Sequence, residues 1–218
     1  MGLPNRGKWN FGFPQNNMQI DVLELGPMAN CTYLISEQTE ALLIDPAWDM
    51  NFIEHTLAQK NLTLRGVLFT HGHFDHVKFA QALLEKTGLK GYLEEKDVAL
   101  SGIEPQFLHT YSGAQQFQIG PFAVKIIPTP GHTAGSVCIQ IGNALFTGDT
   151  LFPGACGRVD LPTSNPRDMR ESLVKLSRYP DDTQIFAGHS YGGKCSSTIG
   201  YEKTTNPFMR NALRGGDI

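Results

Sequence analysis

The chain of 218 residues has only four cysteines, at positions 31, 138, 156 and 195, and no two of them form a C-x-x-C pair. Widely spaced thiols without a secretory signal predict reduced cysteines and no disulfide framework. There is also no basic run: 18 Lys and Arg against 21 Asp and Glu leave a net charge of −3. Binding to a phosphate backbone normally shows as a basic stripe, so no nucleic-acid partner is expected. No apolar stretch approaches the ~18 residues that a membrane-spanning helix needs, and none is expected. The opening MGLPNRGKWNFGFPQNN has no apolar core of the kind a signal peptide carries, so the expected location is cytoplasmic.

What is present describes an ordinary globular chain, 40% hydrophobic and 18% charged. Its length suits one domain with a sizeable core. Residues 1–17, rich in Gly, Pro and Asn, read as an extension, and 18–218 as a single domain. From Met18 onward the segments IDVLEL, CTYLIS, ALLID, GVLFT and GYLEE read as strands. FAVKIIPT, SVCIQIG, NALFTGD and TQIFAGH repeat the theme in the second half. Asp49 is placed to cap a helix to about Lys60, VKFAQALLEKTG predicts a helix closed by Gly88, and another helix is expected over 167–178. A short helix is expected around Val98. The final RGGDI reads as a mobile tail. Cys138, in an apolar run, and Cys156, in the GACGR loop, read as small packing residues.

Four of the strands, in ALLID, VLFTHGH, ALFTGD and QIFAGH, end directly in Asp or His. Rigid strands with reactive groups at their ends suggest one edge of a layered α/β fold converging on one site. The stretch FTHGHFDHVKFA is the densest, with three of the chain's seven histidines inside six positions. In extended backbone, His71 and His73 point the same way and can share one cation. Gly72 between them is expected to allow an unusual backbone angle. Asp75 and His76, at the start of a helix, diverge towards a second position. Downstream, His132 in TPGHTAGS, Asp149 in FTGDT and His189 in FAGHS each follow a glycine. His55 and His109 have no such setting and read as ordinary histidines. Imidazoles and carboxylates without cysteine suit zinc, iron or manganese. Seven donors exceed one tetrahedral ion and match two ions sharing a carboxylate, as in hydrolases with paired ions.

The order H-x-H-x-D-H, Gly-His, Gly-Asp, Gly-His closely resembles the metallo-β-lactamase superfamily over nearly all of residues 18–209. The resemblance implies a four-layer αββα sandwich with metals at one edge. It implies His71, His73 and His132 on a first metal, Asp75, His76 and His189 on a second, and Asp149 bridging them. Asp45, ending ALLID, matches a position that orients a ligating histidine. GDTLFPGACGRVDLP and GHSYGGKCSSTIGYEKTTNPF look like the glyoxalase II (hydroxyacylglutathione hydrolase) and persulfide dioxygenase branch. In glyoxalase II, residues matching Arg158 and Tyr191 grip the thiol carrier. The bland alternatives are Arg158 pairing with Asp160 and Tyr191 serving as a wall residue.

That resemblance implies two zinc ions, an acyl-thiol small molecule as substrate, and Asp75 orienting the attacking water for thioester hydrolysis. The residues after His189 are too few for the helical domain that glyoxalase II adds. Persulfide dioxygenases share the CGR loop and an S-T-x-x-x-E-x-x-x-N-P segment. They use one iron on the positions of His71, His132 and Asp149. Hydrolysis of a lactone or carboxylic ester by the same two ions is the third alternative.

Overall fold

The computed structural model describes residues 8–12, 18–191 and 193–218, the first five by backbone alone. Seven strands run in chain order through one sheet: β1 (Lys8–Gly12), β2 (Met18–Leu25), β3 (Asn30–Glu37), β4 (Glu40–Ile44), β5 (Thr63–Leu68), β6 (Gly91–Glu94) and β7 (Leu108–Tyr111). The second sheet contains β8 (Gln115–Ile119), β9 (Phe122–Pro128), β10 (Val137–Ile141), β11 (Ala144–Gly148), β14 (Gln184–Ala187) and β15 (Ser196–Thr198), in the order β15-β14-β11-β10-β9-β8. A small hairpin, β12 (Leu151–Phe152) with β13 (Ala155–Cys156), hangs off β11. Within the segment expected to be an extension, β1 pairs antiparallel with β2, Lys8 opposite Leu23 and Gly12 opposite Gln19. Residues 1–7 and 13–17 of that segment lie outside the described residues.

Side chains alternate across a strand, so each sheet has two apolar faces to cover. Ile20, Val22, Tyr33, Ile35, Leu42 and Ile44 face Val124, Ile126, Ile139 and Phe146 of the other sheet, forming the central core. Their neighbours Leu23, Leu34 and Leu43 turn outward beneath α1 (Met50–Gln59) and α3 (Ala80–Thr87), where Ile53, Leu83 and Leu84 cover them. On the far side, Cys138, Leu145 and Ile185 meet α5 (Pro166–Leu176), α6 (Ile199–Thr205) and α7 (Pro207–Leu213) through Met169, Leu173, Ile199 and Met209. The result is four layers, helix–sheet–sheet–helix. Tyr33 crosses the centre, its ring 5.0 Å from that of Phe146 and its hydroxyl donating to the Ala187 carbonyl. Among the described residues no helix is long and apolar enough to cross a membrane.

Local signals explain most boundaries. Asp49 accepts the Phe52 amide at 3.1 Å and caps α1, and Gly88 closes α3 in the left-handed region at φ 69°. The helix expected to run through 77–88 is two pieces: α2 (Phe74–Val77) and α3, broken at Lys78 and Phe79. Phe79 gives its amide to the Ala47 carbonyl instead, and Lys78 lays its ammonium 4.8 Å from the Trp48 ring. The short helix around Val98 is α4 (Val98–Ser101). The final residues, read from the sequence as a mobile tail, make contacts with the chain. Gly216 donates to the Asn211 carbonyl, Asn211 donates to that of Asp217, and Ile218 packs on the outer core. Cys138 is fully buried, and burial pushes its thiol, like that of half-buried Cys156, up to about 12.

Candidate metal centre

Four strands end at one edge. Parallel β4 and β5 deliver Asp45 and the 69–76 loop from the first sheet, and parallel β11 and β14 deliver Asp149 and His189 from the second. His132 arrives on the connection between β9 and β10. Backbone bonds stitch the sheets together there: Cys31 N–H to the Gly188 carbonyl at 2.8 Å, Val137 N–H to Thr70 at 2.9 Å, and a bridge between Asn30 and His189. All seven candidate ligands meet at this edge.

They meet in overlapping groups whose donor atoms lie within 4.8 Å of one another: His71, His73 and His132; His71, His76 and Asp149; Asp75, His76 and His189. His73 Nδ1 is 2.9 Å from His132 Nε2, and His76 Nε2 is 3.2 Å from His189 Nε2. Asp149 lies between the groups, with Oδ1 3.4 Å from His76 Nε2 and Oδ2 3.5 Å from His132 and 3.3 Å from His189. His71 Nε2 and Asp149 Oδ1 are buried with no hydrogen-bond partner in the protein. Buried polar atoms are seldom left orphaned, so two such atoms inside a nest of imidazoles fit a cation.

The outward-facing ring atoms are held. His76 Nδ1 meets Asp45 Oδ2 at 2.9 Å, His132 Nδ1 donates to the Arg158 carbonyl at 2.9 Å, and His189 Nδ1 to that of Met28 at 2.9 Å. Asp45 also accepts the Thr70 amide at 2.8 Å and its hydroxyl at 2.6 Å, and that hydroxyl is 3.1 Å from His71 Nδ1. One buried carboxylate thus orients two candidate ligands. It sits at φ 52°, a left-handed conformation uncommon for a non-glycine residue, and such strain concentrates at functional sites.

Electrostatics follow from crowding. Burial and four neighbouring imidazoles push His71 well down, leaving a neutral ring ready to donate a lone pair. Burial alone would lower His189, but hydrogen bonds to Asp149 and Asp75 outweigh it and raise the ring to about 10. Burial likewise opposes ionisation of Asp149 and Asp75, yet the facing histidines hold both below the usual carboxylate range.

Two glycines are required by space. A Cβ on Gly188 would strike Asp149 Oδ1 and His76 Cε1, and one on Gly72 would strike the Asp97 carbonyl. Gly72 therefore serves close approach and not the unusual angle expected from the sequence, since its φ is not positive. Asp97 itself carried no signal beyond standing before a short helix. It is 1% exposed and accepts Gly72 N–H at 2.8 Å, Thr133 Oγ1 at 2.6 Å and Gly135 N–H at 2.9 Å, tying the His71–His73 loop to the His132 loop. The S-T-x-x-x-E-x-x-x-N-P segment is a clamp. Buried Glu202 accepts Gly154 N–H at 2.8 Å and the Ser197 hydroxyl at 2.5 Å, and Asn206 donates to the Phe152 and Ala155 carbonyls.

The two expected substrate residues lie on the rim. Tyr191 stacks on His189 with ring centroids 4.7 Å apart and planes 5° from parallel, and it is half exposed. Arg158 is exposed and forms a two-pronged pair with Asp160 at 2.9 and 3.0 Å. His55 and His109 are exposed and away from the cluster, the His109 ring tilted against Tyr92 with centroids 4.9 Å apart.

Known proteins are similar to this chain to different depths. The chain is 40% identical over 146 residues to a hydroxyacylglutathione hydrolase from Brucella ovis, a match covering 66% of this chain and 54% of that one. It is 31% identical over 169 residues to BaeB of Bacillus velezensis, a probable polyketide biosynthesis zinc-dependent hydrolase, covering 76% and 75%. The crystal structure of ETHE1 from Myxococcus xanthus superposes with a TM-score of 0.79 at 28% identity, covering 89% of each chain. Residues 25–189, which span every candidate ligand, match the family described as the Metallo-beta-lactamase superfamily. The chain belongs to the metallo-beta-lactamase superfamily.

Proposed function

We propose that this metal-dependent hydrolase cleaves the thioester of a small acyl-thiol of the acylglutathione kind, in the cytoplasm, with two zinc ions. The observation that carries the reading is Asp149, set between two groups of candidate ligands and facing both. His71, His73 and His132 would hold one ion, Asp75, His76 and His189 the other, and Asp149 both. When bound, such ions lower the pKa of water towards 7 and polarise a carbonyl.

The chain's own groups do the rest. Asp75, kept ionised by His189, His76 and Asn30 against the opposing effect of burial, accepts a hydrogen bond from the attacking water and orients it. Thiols have a pKa near ~8.5, so a thiolate leaves without a dedicated acid. That suits a site whose buried titratable groups serve as ligands or hold ligands. Tyr191 offers the thiol carrier a flat, half-exposed ring beside His189, and Arg158 offers a planar fork for a carboxylate in exchange for Asp160. The similarity to a hydroxyacylglutathione hydrolase supports this carrier.

Protein purified without added metal should contain two zinc ions per chain and release free thiol from an acylglutathione. A single iron, with oxygen uptake on glutathione persulfide and no thioester turnover, would overturn the reading in favour of the dioxygenase. Turnover of lactones or carboxylic esters alone would favour the third alternative.

A further inference from the structure

All seven donor residues are compatible with one ion or with two, so the number of ions depends on what holds the donors. The Asp75 position has a support that neither the sequence nor its resemblances indicated. Asn30, at the start of β3 and 2% exposed, donates through Nδ2 to Asp75 Oδ2 at 3.0 Å and to the Asp75 carbonyl at 3.0 Å. Trp48 Nε1 lies 3.1 Å from Asn30 Oδ1 and 3.1 Å from the same Asp75 carbonyl. An indole N–H can only donate, so it obliges the amide oxygen of Asn30 to face it. The amide nitrogen then has to face Asp75. Asn30 also forms the backbone bridge with His189, flanked by Cys31 N–H to Gly188 and Ser190 N–H to Ala29, at 2.8 and 2.9 Å. One residue therefore sets Asp75 relative to His189, whose Nε2 is 3.3 Å from Asp75 Oδ2.

The first group is held differently, His71 Nδ1 by the Thr70 hydroxyl and His132 Nδ1 by the Arg158 carbonyl. Its His73 is only partly buried, and the hydrogen-bonding contact of its ring is with His132, another candidate ligand. We infer that Asn30, locked in orientation by Trp48, is a positioning residue that sets the affinity of the Asp75–His76–His189 position and so decides whether the chain carries two ions or one. The inference rests on the two-ion reading above, but its readout is metal binding and does not depend on which substrate is cleaved.

The test is a zinc titration of metal-free protein against a chromophoric chelator, repeated with cobalt(II) followed by its visible spectrum. Asn30→Leu keeps the volume and removes the donor. Its expected result is one ion weakened about 10–100-fold, the range typical of lost outer partners, with the other ion unchanged. The cobalt spectrum should lose the contribution of the second equivalent only. Trp48→Phe, which keeps a ring and drops the N–H, should shift the same ion in the same direction by less. Two ions bound as tightly as in the parent by both variants would overturn the proposal. So would equal weakening of both ions with a lowered melting temperature, which marks a merely structural role. If Asn30→Leu does not fold, Trp48→Phe decides alone: unchanged binding of the second ion overturns the proposal. Binding of a single ion by the parent would overturn the two-ion reading itself, whatever the variants do.

Discussion

The two sheets contribute to the candidate metal centre on unequal terms. The first supplies His71, His73, Asp75 and His76 from a single stretch that leaves β5 and runs into α2, and the second supplies His132 from the β9–β10 connection and Asp149 and His189 just beyond the ends of β11 and β14. Donors within one short peptide are placed by local backbone geometry. Donors from separate strands are placed by register, and a slip of one residue in β11 or β14 would turn Asp149 or His189 away. The first half of the site is therefore local and the second tertiary, and what joins them matters as much as either.

Asp149 tests the join most severely. Asp149→Ala removes a carboxylate that faces both groups, so it should lose more metal than any other single ligand substitution and abolish turnover. Elemental analysis showing one ion fully retained would make Asp149 a ligand to one group only. Asp97→Ala should come next, acting on stability. It leaves Gly72 N–H and Gly135 N–H buried without their acceptor and the Thr133 hydroxyl with Ser136 as its remaining partner. Each orphaned group costs about 1–3 kcal/mol, and partial relaxation makes about 2–4 kcal/mol a reasonable total in a denaturant melt. An unchanged midpoint would mean the two loops hold without it.

Smaller effects sharpen the comparison within the first sheet. Asp45→Asn weakens the grip on His76 Nδ1 and on Thr70, so metal affinity or turnover should fall about 10–100-fold. Parent-like affinity and turnover would reduce Asp45 to a turn residue. Arg158→Ala should be mildest. It should raise KM for a carboxylate-bearing thioester and leave kcat nearly intact, because it removes binding common to ground and transition states. A small neutral thioester should be indifferent to it. Equal losses on both substrates would mean the Arg158–Asp160 pair only shapes the loop.

The same inequality explains what could be read in advance. The H-x-H-x-D-H stretch is legible because its spacing is the geometry, and the strands ending in Asp or His are legible because apolar runs and breakers mark them. Asp45 was visible for the same reason, being the last residue of ALLID. Asn30, Trp48 and Asp97 were not, since their meaning lies in contacts with residues distant in the chain. The break between α2 and α3 was hidden because VKFAQALLEKTG is continuous helix former; only packing on Trp48 and Ala47 interrupts it. Likewise β1, β7, β8, β15, α6 and α7 carried weak periodicity and gained their structure from neighbouring elements.

The clamp of Glu202 and Asn206 on the 152–156 loop bears on how the protein is made. A ribosome releases His71, His73, Asp75 and His76 long before Asp149 and His189, and those before Glu202. For that interval the nascent chain exposes a four-donor peptide able to grasp a passing ion without its closing partners. Domains fold as units once their sequence has emerged, and metal affinity in a site of this kind is inseparable from folding. Stable metal binding by the seven candidate donors is therefore expected only after the segment carrying Glu202 and Asn206 has cleared the exit tunnel.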